Sequence, residues 1–206
     1  MWFCAQCQVK GCSKPLALGD NVQLPKDCPT LKLRQEDIIG KYTSDPDEFN
    51  LARCSAICSP DHAEHRLAKT MRFAKMCGFD HLGLAFCNTL SKEAEAVAAV
   101  LIKNGFKLDS ANCKVGRENR EKLGAYTSKN PMCNPICQAE LLNEAGTQLN
   151  IVLGLCVGHD SLFIKHSEAP VTVLACKDHV YDNAPLKALY DCPECGFYKA
   201  HKENSD

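Results

Sequence analysis

Short apolar runs alternate with amphipathic stretches over the central and C-terminal parts of the chain, a pattern typical of alternating strands and helices. The apolar run HLGLAFC ends at Cys87, and FKLDSANC is a second candidate strand that ends at Cys113. The stretch between them has helical spacing, with Ser91 as the expected N-cap and Gly105 as the stop. Strand, helix and strand in this order predict a βαβ unit with parallel strands and a right-handed crossover.

The same alternation continues towards the C-terminus. A helix is predicted from Pro135, with Asn134 as its N-cap, because proline suits the first helical position. The unbroken apolar run from Ile151 to Leu155 predicts a buried strand, and APVTVLAC predicts another one. We therefore expect an α/β fold with a small parallel sheet of about four strands and flanking helices.

The N-terminal part of the chain lacks this alternation. Glycine, proline and polar residues between its cysteines predict loops that need a metal to become ordered, followed by a polar connector over residues 30–46. Two helices are then expected before Gly78, the second with Ser59 as its N-cap. The predicted organisation is a cysteine-rich metal-binding region over residues 1–45 and an α/β domain over residues 46–206.

Composition narrows the functional classes. A chain of 206 residues can bury a core without disulfides, so its 15 cysteines need another explanation. Their odd number, and a start that does not resemble a secretory signal, favour a reduced, cytoplasmic setting in which thiols bind metals. No apolar run approaches the roughly 20 residues that span a bilayer. A formal net charge of −1, without a basic block, gives no indication of nucleic-acid binding.

Four cysteines near the start form a first candidate metal site. Their spacing is C-x2-C-x4-C-x15-C-P, and they are Cys4, Cys7, Cys12 and Cys28. Four thiolates can fill a tetrahedral Zn²⁺ site or hold the corners of a [4Fe–4S] cluster. Proline after the last cysteine favours the cluster, although ferredoxin-type runs are more tightly spaced. Free surface thiols are the alternative.

A second candidate site follows from the predicted topology. The carboxyl ends of parallel strands lie on one edge of a sheet, so Cys87, Cys113 and Cys156 are expected to converge there. Cys133 should join them from the loop that enters a helix, where free N–H groups favour a thiolate. These four cysteines are the predicted ligands of a second metal site.

Polar residues are expected beside the thiols at the same edge. His159 follows Cys156 in a glycine turn and is predicted to act as a ligand, as a hydrogen-bond donor beside the ligands or as a proton carrier, and it is the candidate catalytic residue. A histidine hydrogen bonded within its own turn is the alternative. Lys114, Arg117 and Arg120 lie in a polar loop that could stabilise a negatively charged cluster or hold an anionic substrate. The alternative for this loop is a solvated run of charge.

The remaining cysteines are less informative. Cys54 and Cys58 are four residues apart on a predicted helix, where packing as small apolar side chains is favoured over metal ligation. Cys176 ends the last predicted strand and is a fifth candidate at the edge. Cys192 and Cys195 form a C-x2-C knuckle, which needs two more ligands and could pair with the first two cysteines. No role is assigned to Cys77 or Cys137.

Several longer phrases resemble a known family. They are GLAFC (83–87), CKVGRE (113–118), MCNPICQAELLN (132–143), GLCVGHDSLF (154–163) and APVTVLACKD (169–178). They are similar to an uncharacterised cysteine-rich family of anaerobic bacteria and archaea, a domain of unknown function regarded as metal-binding. The resemblance covers most of the chain and implies metal binding without an established reaction. The cysteines that match the family pattern are Cys4, Cys7, Cys28, Cys87, Cys113, Cys133 and Cys156.

Three functions are compatible with these patterns. The first is an iron–sulfur protein with one or two [4Fe–4S] clusters that exchanges electrons with a redox partner protein, and an iron–sulfur oxidoreductase is one form that it could take. The second is a structural zinc protein with thiol-based catalysis, in which Cys133 is the nucleophile and Cys156 the resolving thiol. The third is a metal-sensing or metal-delivery protein. Neither common phosphate-binding glycine motif occurs, so we expect no nucleotide.

Overall fold

The computed structural model describes residues 4–15, 17, 22–31, 35–59, 63–125 and 128–191. Contacts between residues divide the chain into two compact units, Met1–Ile57 and Cys58–Asp206. The first unit contains the N-terminal cysteines, and the second contains the sheet. The predicted boundary between residues 45 and 46 remains a prediction.

A four-stranded parallel sheet forms the centre of the second unit. Its strands are β1 (His81–Phe86), β2 (Lys107–Asn112), β3 (Leu149–Leu153) and β4 (Val171–Ala175). Their spatial order is β2-β1-β3-β4, and all three neighbouring pairs are parallel. This arrangement confirms the predicted α/β fold with a small parallel sheet.

Four helices of the second unit, each preceding one strand in the chain, pack against the sheet, and they are α3 to α6 in the numbering that follows. The helices of the described residues are α1 (Gln35–Thr43), α2 (Pro46–Cys58), α3 (Arg66–Cys77), α4 (Ser91–Lys103), α5 (Pro135–Glu144), α6 (His159–His166) and α7 (Ala188–Asp191). None of the helices in this part of the chain has the length and apolar character that a membrane crossing requires.

The two faces of the sheet carry separate apolar cores, because alternate residues of a strand point to opposite faces. On one face, Leu82 and Leu84 of β1 cluster with Leu101 of α4. On the other face, Ala85 of β1 and Phe163 of α6 belong to a second cluster, which also contains residues of α5. The sheet is therefore covered on both faces, as expected for all-parallel strands.

This topology creates a switch point between the two central strands. The chain leaves β1 towards α4 on one face, whereas it leaves β3 towards α6 on the other face. Open α/β sheets bind their ligands in the crevice outside the carboxyl ends of such strands. The carboxyl ends of β1 and β3 are thus the place where the fold favours a site.

A buried polar network fixes the register at the opposite end of the central strands. Asn150 of β3 is fully buried, accepts a hydrogen bond from Thr147 and donates one to Ser167, both at 2.8 Å. A Cβ atom on the neighbouring Gly83 of β1 would lie 1.9 Å from the Asn150 Oδ1 atom. Glycine at this position therefore leaves space for the buried amide.

Three local predictions about helices were wrong. The expected polar connector over residues 30–46 contains helix α1. Helix α3 begins at Arg66 rather than next to Ser59, and His65 is its N-cap, with the ring Nδ1 atom accepting a hydrogen bond from the Ala68 N–H at 3.3 Å. Ser91 is the first residue of α4 rather than its N-cap, since its hydroxyl donates to the Asn88 carbonyl instead.

Candidate metal centre

Four cysteines from separate segments lie at the carboxyl edge of the sheet. Cys87 directly follows β1, Cys113 directly follows β2, and Cys156 lies in the turn between β3 and α6. Cys133 directly precedes Asn134, the N-cap of α5, whose side chain accepts a hydrogen bond from the Cys137 N–H at 3.1 Å. The strand ends and the helix N-terminus therefore deliver four thiols to one edge.

The four thiols form a continuous chain of contacts. The Cys87 thiol interacts with the thiols of Cys113 and Cys156, and Cys113 also interacts with Cys133, so that each influences the pKa of its neighbour. Cys87 and Cys113 are buried, with 6% and 3% of their surface exposed, whereas Cys133 and Cys156 are half-buried. Within the described residues, no group of three or more Cys, His, Asp or Glu side chains is arranged to hold a metal ion.

The turn that follows β1 donates hydrogen bonds to two of these sulfur atoms. The Asn88 N–H donates to the Cys113 Sγ atom at 3.3 Å. The Thr89 hydroxyl lies 3.3 Å from the Cys87 Sγ atom, and the Thr89 N–H also donates to it. Backbone and hydroxyl donors of this kind stabilise negative charge on sulfur, either as a thiolate or as a metal ligand.

Lys177 places a positive charge beside the same turn. Its ammonium donates a hydrogen bond to the Thr89 hydroxyl oxygen and interacts electrostatically with Cys87 and Cys156. Because an ammonium group can only donate, the Thr89 oxygen must accept, which leaves the Thr89 hydrogen available to the Cys87 sulfur. The three side chains therefore form a line of contacts. Lys177 donates to the Thr89 oxygen, and the Thr89 hydroxyl hydrogen is available to the Cys87 sulfur.

The thiols differ in acidity because their surroundings differ. Burial alone would raise the pKa of Cys87, but the Thr89 donors, Lys177 and the Cys113 thiol together lower it. Burial raises the pKa of Cys113 to about 12, and the neighbouring Cys133 and Cys87 sulfurs add to that effect. Burial and the same kind of repulsion raise the pKa of Cys156. Of these three thiols, Cys87 is therefore the one that ionises most readily.

The predicted basic and histidine residues are only partly assembled at the edge. His159 is half-buried at the start of α6, and burial lowers its pKa, with Lys114 and Arg120 adding to the effect against the opposing Asp160 carboxylate. The Lys114 ammonium donates to the Pro131 carbonyl at 2.7 Å. Arg117 is exposed with a φ of 52°. Lys114 and Arg120 therefore contribute positive charge near His159.

The N-terminal cysteines share a separate cavity. Cys4, Cys7, Cys12 and Cys28 all line one space of about 370 Å³ in the first unit. The Lys10 N–H donates to the Cys7 Sγ atom at 3.4 Å. A Cβ atom on the buried Gly11 would lie 2.4 Å from the Gln23 carbonyl oxygen, so glycine allows the segment of Cys12 to pack against the segment that leads to Cys28.

The other cysteines have different surroundings. Cys54 is fully buried and its thiol lies 3.6 Å from the Asn50 side-chain oxygen, while the Cys58 sulfur lies 3.4 Å from the Met76 sulfur. Both therefore pack as buried side chains. Cys176 is exposed. Cys192 and Cys195, the predicted knuckle, lie outside the described residues, as does His62.

Three contributors to the site, Lys177, Thr89 and Gln138, were not assigned from the sequence. Lys177 and Thr89 are 88 residues apart in the chain, so their contact depends on the pairing of β4 with β3 and could not be inferred from spacing. Gln138 of α5 is fully buried and donates to the Ala111 and Phe86 carbonyls at 2.7 and 3.3 Å. It thereby connects the ends of β1 and β2 directly before the cysteines. Its only sequence signal was a polar residue on an otherwise apolar helix face.

Comparison with known proteins assigns the chain to a protein family. Residues 28–174 match the family described as "Protein of unknown function (DUF1847)", and this region contains all four cysteines of the sheet edge. The chain belongs to this family, which confirms the expected membership in a family of unknown function. It is also 36% identical over 193 residues to the "Uncharacterized protein MJ0455" of Methanocaldococcus jannaschii, covering 91% of this chain and 93% of that protein. No solved structure matches the chain.

Proposed function

We propose that this protein binds metal through cysteine thiolates at two sites, that the bound groups are iron–sulfur clusters, and that they serve electron transfer. The observation that carries the proposal is the chain of contacts from Cys133 through Cys113 and Cys87 to Cys156 at the switch point of the sheet. Four segments that are distant in sequence contribute one thiol each. Packing alone gives no reason for four thiols to meet there.

The energetics of ionisation support a bound cation. Crowded and buried thiols resist deprotonation, as the raised pKa values of Cys113 and Cys156 indicate, the first of them at about 12. A bound cation would offset the repulsion among neighbouring thiolates, and the protons of these thiols would be released when it binds. The donors from Asn88 and Thr89 are already directed at the sulfur atoms that would carry the remaining charge.

Either a single thiophilic ion or a cluster could use four thiolates, and a cluster is the form that we propose. In a cluster each thiolate binds a different iron, and each of the two sites offers four cysteines, those of the N-terminal site lining one cavity. Cys87, Cys113, Cys133 and Cys156 would hold one cluster, and the four N-terminal cysteines would hold the other.

When bound, the clusters would supply one-electron chemistry, and a redox partner protein would exchange the electrons. Lys114, Arg120 and Lys177 would contribute positive charge to the surroundings of the edge site. His159, with its pKa lowered by burial, would carry a proton to or from a bound substrate if the edge site is catalytic. Free thiols at this density also fit a reducing compartment such as the cytoplasm.

One observation favours a second candidate, a zinc protein with thiol chemistry at the edge. Cys87 has a lowered pKa and interacts with Cys156, as expected for a nucleophile beside its resolving thiol. In that function Cys87, rather than the predicted Cys133, would be the nucleophile. Zinc would then occupy only the N-terminal site.

Metal analysis of protein that is made and purified without oxygen separates the two candidates. Clusters predict a brown protein with about four irons and four acid-labile sulfides per cluster. The variant Cys113→Ser should lose one cluster and keep the other, whereas Cys176→Ser, with an exposed thiol, should keep both. A colourless protein with stoichiometric zinc and no sulfide would refute the cluster proposal.

A further inference from the structure

The line from Lys177 through Thr89 to Cys87 has a role beyond supplying ligands. We infer that Lys177 and Thr89 are positioning residues that determine how tightly the edge site binds a thiophilic metal, an inference that rests on the proposed metal-binding function.

The hydrogen-bond directions in this line follow from the chemistry of the metal-bound state. The Lys177 ammonium donates to the Thr89 oxygen, and a metal-bound Cys87 sulfur has no hydrogen to donate, so the Thr89 hydroxyl would donate to that sulfur at the oxygen–sulfur distance of 3.3 Å. The same turn donates the Thr89 and Asn88 N–H groups to Cys87 and Cys113. Three donors and one cation therefore act on two adjacent sulfur atoms.

Cys87, which the contacts from Lys177 and Thr89 reach, would be the central ligand of the edge site. Cys87 also contacts Cys113 and Cys156, so it is the thiol that joins the strands on both of its sides. A metal-bound thiolate keeps part of its negative charge, and donors or cations beside it stabilise the bound state. Removing such partners of metal ligands typically costs 10–100-fold in affinity.

Lys177 follows β4 at the carboxyl edge, which explains why we expect this lysine, and not lysines elsewhere, to affect the metal affinity of the edge site. It lies next to Cys176, whose own thiol is exposed, so the strand end contributes a cation rather than a fifth ligand. Lys103, at the last residue of α4, offers a matched control, because α4 runs back from the carboxyl edge and its C-terminal end leads into β2.

The test uses anaerobic Co²⁺ titration of the full chain, followed through cobalt–thiolate absorption. The N-terminal site is silenced by Cys7→Ser and Cys28→Ser, so the signal comes from the edge. We expect Lys177→Met and Thr89→Val each to weaken Co²⁺ binding by ~10-fold or more. Lys177→Arg and Thr89→Ser should restore most of the affinity, and Lys103→Met should match the parent.

The outcomes separate this inference from the proposed function. A parent protein that binds no Co²⁺ at the edge would overturn both of them. A parent that binds, with Lys177→Met and Thr89→Val within about twofold of it, would overturn the positioning role alone. Circular dichroism and the urea midpoint of each metal-free variant exclude unfolding, and the midpoint potential of reconstituted protein gives a second readout. That potential should become more negative in Lys177→Met and stay at the parent value in Lys103→Met.

Discussion

The acidity of Cys113 makes a sharp prediction about how metal binding depends on pH. Burial and neighbouring sulfurs raise its pKa to about 12 from an ordinary value of 9.0. The three-unit difference corresponds to about 4 kcal/mol, or roughly 1,000-fold in affinity at neutral pH, because the proton must leave before the metal binds. The pKa of Cys156 is also raised, so the Cys156 thiol must likewise lose a proton before it binds the metal.

The direction of the effect follows from these raised values. In metal-free protein both thiols stay protonated throughout the range from about pH 6.5 to 8.5, since that range lies below their pKa values. Binding then releases at least two protons, and the affinity for Co²⁺ should rise by about 100-fold per pH unit. The measurement is a Co²⁺ titration of the Cys7→Ser, Cys28→Ser protein at several pH values, combined with proton release followed by an indicator dye.

Cys113→Ser provides the internal control for this experiment. It removes one titrating thiol, so the dependence should fall to about tenfold per pH unit while the affinity also decreases. Cys176→Ser should leave the slope unchanged, because Cys176 is exposed at the end of β4. The reasoning is refuted if the Co²⁺ affinity of the Cys7→Ser, Cys28→Ser protein changes by less than about tenfold per pH unit. Equal pH slopes in the Cys113→Ser and Cys176→Ser variants would refute it as well.

Three further predictions concern space and ligand identity. Gly83→Ala should lower the free energy of unfolding in urea by about 1–3 kcal/mol, because the added Cβ would meet the Asn150 Oδ1 atom at 1.9 Å. The control is Gly40→Ala, which should not destabilise the protein because its added Cβ would have no atom within 4 Å. Gly11→Ala should deplete metal from the N-terminal site alone, since its Cβ would meet the Gln23 carbonyl at 2.4 Å; retention of both sites would count against that packing. His159→Gln should leave iron and sulfide content unchanged, and a loss of metal would instead identify His159 as a ligand.

The sheet and the approach of its thiols could be predicted because they depend on local patterns. The apolar run ending at Cys87 and the candidate strand ending at Cys113, with one amphipathic helix between them, strongly favour a parallel right-handed unit. Asn134 and Pro135 define the start of α5 from chemistry within four residues. Once the strands are parallel, the cysteines at their ends must share an edge.

The remaining features depend on contacts that local patterns do not contain. The N-terminus of α3 was misplaced because Ser59 and Pro60 form a strong start signal, whereas the structure caps the helix with the His65 ring. The Lys177–Thr89 contact requires the order of all four strands to be known. The differences in acidity among the thiols depend on burial, which the sequence indicates only on average.

After the central strands β1 and β3, the chain continues to opposite faces of the sheet, and this has a mechanical consequence. Cys87 begins the path to α4 on one side of the sheet, and Cys156 begins the path to α6 on the other side. A prosthetic group shared by these two thiols would bridge the layers that flank the sheet, so that its gain or loss is felt in both of them. Amide hydrogen exchange at the first turns of α4 and α6 should then slow together upon loading, giving a partner protein on either side the means to sense occupancy.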